Sequence, residues 1–65
     1  MNINESTKML ETIQHLKENN QYELAFKLNQ YGIQNLPELD NSELEQRYIG
    51  ENLNLRKNLM MIRSS

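Results

Sequence analysis

His15 has Glu11 four residues before it and Glu18 three residues after it. On a helix this spacing puts all three side chains on one face, where they could in principle hold a divalent cation. The same face lies opposite the apolar positions Met9, Ile13 and Leu16, so an ordinary solvated surface is the expected reading. General acid–base catalysis at neutral pH most often uses histidine, and a nucleophile needs a base within reach. With one His and no Cys in the chain, no residue is assigned a catalytic role, and neither a metal nor a cofactor is expected.

Two other groups of residues invite a chemical reading. Glu38, Asp40, Glu43 and Glu45 form an acidic stretch, but a calcium loop needs oxygen ligands at fixed alternating positions around a central glycine. The segment DNSELEQ has no such glycine, and acids at a helix start are explained by the helix dipole. Gly32 and Gly50 are too far apart to build a phosphate-binding loop.

The cations are concentrated at one end. Residues 1–45 carry a net charge of −5 and residues 46–65 a net charge of +3, giving the overall −2. Internal pairing of the two ends is the expected use of this gradient. Arg47, Arg56, Lys57 and Arg63 could instead contact phosphates, and nucleic-acid binding through them is carried as an alternative reading. A helix-turn-helix is disfavoured, because a connector of about ten residues containing Pro37 separates Tyr31 from the next helix. The tail LNLRKNLMMIRSS mixes apolar and basic residues as membrane-surface helices do, but its basic residues do not gather on one clean face.

The elements that must position these groups are helical, since the apolar residues recur at three- and four-residue spacing. The first helix is expected over about 5–18, with Met9, Ile13 and Leu16 in a stripe widened by Leu10 and with Asn2 or Asn4 as its cap. The second is expected over about 21–31. Asn20 with Glu23 forms a capping box, Leu24, Leu28 and Tyr31 line one face with Ala25 beside them, and Tyr22 and Phe26 lie toward the other side. Gly32 then reads as the residue that ends the helix, with Ile33 folding back on Leu28. In the connector QNLPELDN, Leu36 and Leu39 are expected to anchor the chain on the core, and a single turn is allowed at Pro37.

The third helix opens at Asp40 or Ser42 and is expected over about 42–62. At 100° per residue, Leu44, Tyr48, Leu55, Leu59 and Ile62 fall within about 60° of one another. Ile49, Leu53 and Met60 fall in a second sector on nearly the opposite side. A surface helix needs one apolar stripe to pack, so two stripes imply two things to pack against. Gly50 leaves open whether the helix is continuous.

The segment LKENNQYELAFKL resembles the turn of a tetratricopeptide-type helical hairpin, carried by Tyr22 after the turn and the small Ala25. The resemblance covers about a fifth of the chain and implies two closely packed antiparallel helices. The following helix lacks the repeat's spacing, and one unit cannot form a solenoid.

The expectation is therefore an all-α fold, a single small three-helix domain over 1–65 made of a helical hairpin plus a longer C-terminal helix. A chain of 65 residues with 37% hydrophobic residues and no Cys hides only about 60% of its unfolded surface, so partner binding or self-association is the expected remedy. A small regulatory or adaptor protein, an antagonist of a larger protein included, would bind another protein through Ile49, Leu53, Arg56, Met60 and Met61. The complex would be a homodimer or a hetero-complex, and a purely structural subunit acting by self-assembly is a further alternative. No apolar run long enough to span a membrane is present. The N-terminal MNINESTK lacks a signal-peptide pattern, and the absence of Cys suits a reducing compartment, so a cytoplasmic location is expected. Ten Asn and frequent Lys suit a low-GC bacterial or phage genome.

Overall fold

The computed structural model describes residues 2–36 and 41–64. Its elements are α1 (Ile3–Glu18), α2 (Tyr22–Asn35) and α3 (Ser42–Ser64), with no strand among the described residues. Among the described residues no helix is long and apolar enough to cross a membrane. The expected all-helical hairpin with a longer C-terminal helix is thus what forms.

The helix ends show why the chain divides where it does. Asn2 caps α1, its side-chain oxygen accepting the backbone N–H of Glu5 at 2.8 Å. At the other end Asn20 adopts φ 62°, the left-handed region that Asn tolerates better than most residues. The Asn20 N–H then donates to the Lys17 carbonyl at 3.0 Å and the Gln21 N–H to the Leu16 carbonyl at 2.8 Å. This pair is the Schellman pattern that stops a helix and turns the chain. Asn20 is therefore the stop of α1 rather than the cap of α2; α2 begins after Gln21, which makes no side-chain cap bond.

Gly32 does not end the second helix. It lies inside α2, without a positive φ, because its function is steric. An added Cβ would stand 2.2 Å from Cε1 of Tyr48, so only glycine lets the Tyr48 ring of α3 approach the α2 backbone this closely. The buried stripe of α2 is Ala25, Asn29 and Gly32, while Leu24 and Tyr31 are exposed. The apolar face expected on α2 is corrected accordingly: small residues win the inner side because α2 is packed against both other helices and only small residues admit close backbone approach on both.

The core consists of Leu10, Ile13, Ala25, Leu36, Leu44, Tyr48 and Leu55. On α1 the buried line is Ser6, Leu10 and Ile13, with Met9 and Leu16 partly buried beside it. Leu36 anchors the connector as expected, whereas Pro37, Glu38, Leu39 and Asp40 lie outside the described residues. α3 is capped by Asn41, whose side chain accepts from the Leu44 N–H at 3.1 Å; its first helical residue is Ser42, but the capping residue is neither of the two expected openings, Asp40 and Ser42. It runs unbroken through Gly50. Ile62, expected in its buried stripe, is exposed, and Leu59 is only half-buried; 23 residues rise about 34 Å, against about 21 Å for α2, so the last turn of α3 outruns its support.

A polar seam threads this core. The Tyr48 hydroxyl donates to the Ser6 carbonyl at 2.6 Å and accepts from the Ser6 hydroxyl at 3.3 Å, joining α3 to α1. The Asn29 amide donates to the Tyr48 carbonyl at 3.0 Å, and Asn52 donates to the Asn29 side-chain oxygen at 2.8 Å. No buried side-chain nitrogen or oxygen among the described residues lacks a partner. Such a seam fixes the mutual register of the helices, because any slip would strand a buried donor or acceptor.

α1 and α3 approach each other over a short stretch, and there the bridge is ionic. Lys17 Nζ lies 2.9 Å from Glu51 Oε2 and also donates to Asn54 at 2.7 Å, while Gln14 donates to Glu51. The pair has the opposite polarity to the expected one, since the cation comes from the acidic two-thirds and the acid from the basic end. The anticipated pairing occurs at Arg63–Glu23, 4.0 Å apart and exposed, where it contributes little. Glu51→Ala is expected to lower stability by about 1 kcal/mol, with the deficit shrinking in high salt. Urea melts at low and high ionic strength read this directly, and an unchanged midpoint would remove the bridge from any structural role.

Candidate protein-binding face

The register that turns Tyr48 and Leu55 inward leaves another face of α3 outward. Ile49, Leu53, Arg56 and Met60 follow at intervals of four, three and four residues, a single row along the helix. Ile49 is 46% exposed, Leu53 63% and Met60 71%. Met61, also expected at the site, is exposed but stands about 110° around the helix from the mean direction of this row, so the fold leaves it outside the row. Counting 100° per residue, this row stands about 130° from the buried one, so it forms a flank of α3 rather than its far side.

That flank borders a groove. Where α2 begins and α3 ends, Glu23, Phe26, Lys27, Arg56, Leu59, Met60 and Arg63 line an opening of about 410 Å³. Phe26 and Leu59 are half-buried and Met60 exposed, giving an apolar lining; Lys27, Arg56 and Arg63 supply three cations and Glu23 the one acid. A neighbouring hollow of about 270 Å³ shares Glu23, Leu59 and Arg63 and extends the trough toward Asn20 and Tyr22.

The four cations considered for nucleic acid do not converge. Arg56 and Arg63 line the groove on α2, whereas Arg47 lines a separate opening between α1 and α3 with Glu11 and Glu51. Lys57 is exposed between these two sides. The fold replaces them with a different trio, because Lys27 of α2 joins Arg56 and Arg63. Neither Lys27 nor Phe26 is among the site residues expected from the sequence. The only available signal was that Glu23, Phe26, Lys27 and Gln30 form an i, i+3, i+4, i+7 row on α2, and it carries meaning only once α3 is known to lie beside it. His15 is exposed, 3.8 Å from Glu18. No group of three or more potential metal ligands occurs among the described residues.

Comparison with protein families, curated proteins and solved structures finds no match. The functional reading therefore rests on the geometry of this chain alone.

Proposed function

We propose that this chain is a small non-enzymatic regulator or adaptor that acts in the cytoplasm by seating the flank of α3 on another protein, in a hetero-complex. The observation that carries the reading is the exposure of Ile49, Leu53 and Met60 in one row. Isolated exposed apolar residues are ordinary on soluble proteins, but a row of them at helical spacing is characteristic of an interface. Binding that covers a competitor's docking surface would make such a protein an antagonist.

The test is affinity capture from the native cell with the wild-type chain and with Leu53→Asp. The substitution is expected to remove the partner, with a loss of at least about tenfold in recovery, while the circular dichroism stays helical because Leu53 supports no part of the core. Undiminished recovery with Leu53→Asp would show that the flank is not the interface.

A further inference from the structure

We propose that the partner presents an acidic amphipathic α-helix, which lays its apolar side along the Ile49–Met60 row and its carboxylates against Lys27, Arg56 and Arg63. This rests on the reading of the α3 flank as a protein-binding face and specifies the chemistry that fits it. The row from Ile49 to Met60 spans about 16 Å, three turns of a straight helix, which matches the anchor spacing of another helix. An extended segment fits poorly. The backbone groups along α3 are bonded within the helix, so a strand laid on this flank would find no edge to pair with and would bury unsatisfied amides. A helical segment brings its own backbone bonds.

The sign of the partner's charge follows from the groove. Three cations and one acid line it in a chain whose net charge is −2, so an acidic helix is attracted here and repelled by the surfaces that hold most of the carboxylates. A second copy of this chain is the poorer occupant. A symmetric antiparallel dimer through the same flank would bring Arg56, near the middle of the row, close to Arg56 of its copy, like charge near like. Nucleic acid would use the cations but leave the apolar row unexplained.

The experiment is selection of helical peptides from a randomised display library on the 65-residue chain. Recovered sequences are expected to carry large apolar residues at i, i+4 and i+7 with Asp or Glu flanking them. They should bind the Lys27→Glu/Arg56→Glu double variant at least about tenfold more weakly and lose affinity as salt rises. Both substituted side chains are exposed, and circular dichroism verifies that the variant is folded. On adding a selected peptide, the Met60 methyl resonance should shift. An empty selection, sequences without acidic bias, or binding indifferent to the charge reversal would overturn the proposal. So would preferential retention on phosphatidylglycerol vesicles, or a dimer in sedimentation that Arg56→Glu dissolves. The two levels separate cleanly. Selected peptides that need Leu53 but show no acidic bias leave the flank in place and refute only the partner's chemistry; native capture that ignores Leu53→Asp refutes the flank itself.

Discussion

Gly32→Ala is expected to lower the free energy of unfolding by about 2 kcal/mol, although alanine is the better helix former by about 1 kcal/mol. The added methyl would meet the Tyr48 ring at 2.2, 2.8 and 3.0 Å. That ring has no room to retreat, since Tyr48 is fully buried and its hydroxyl is held on Ser6. Either α3 moves away from α2, loosening Leu44 and Leu55, or the ring leaves its rotamer and forfeits the bond to α1. Against a total stability of about 3 to 10 kcal/mol for a chain of this size, the loss is large. Gly50 provides the control, because its Cβ position is open and Gly50→Ala should raise stability by up to about 1 kcal/mol. Urea denaturation of the two variants should move the midpoint in opposite directions, and a Gly32→Ala chain as stable as the wild type would mean that the two helices are not in contact there.

The second large effect is expected at Asn29→Asp, a change of nearly the same shape that leaves the chain several kcal/mol less stable at pH 7. Asn29 is fully buried and works in both directions, donating to the Tyr48 carbonyl and accepting from Asn52. A carboxylate keeps the acceptor but sets a charged oxygen against the carbonyl, in a place where an unpaired charge costs about 3 to 5 kcal/mol. Burial raises the folded-state pKa of such a carboxyl above its unfolded value. The folded state then binds the proton more tightly, so the deficit relative to wild type is full above the folded pKa and shrinks as the pH falls through it toward the unfolded value. Thermal melts between pH 4 and pH 7, taken as differences from wild type, about three pH units apart, would display this slope. A pH-independent difference would show that position 29 is not sealed from water.

Much of the local structure was legible in the residues. Asn2 as a cap, three helices and a turn near Asn19 and Asn20 all follow from interactions within four or five positions. So does the division of α3 into an inward row through Tyr48 and Leu55 and an outward row through Ile49, Leu53 and Met60, because residue spacing fixes angle around the axis. What failed were statements about neighbours. Gly32 looked like a stop because glycine often ends helices, yet here the ring of Tyr48, sixteen positions on, requires it. Leu24 and Tyr31 looked like a core face, yet α2 lies between two helices and turns its smallest residues inward. Asn29 and Asn52 stand in none of the expected apolar stripes, yet they are buried and bonded to each other. Asn52 did lie between Tyr48 and Leu55 in the inward row, and that register was the sign of its burial.

By itself the amino-acid order determined the helices, their approximate limits and the surplus apolar row on α3, since backbone hydrogen bonding and side-chain periodicity act at short range along the chain. Tertiary structure alone decided that Lys27 joins Arg56 and Arg63 around one groove, that Arg47 stands apart, and that Lys17 reaches Glu51. Those side chains come from different helices, and their proximity depends on how closely and at what rotation the helices pack, which is set by the fit of Tyr48 on Gly32 and by the bonds of the buried polar seam.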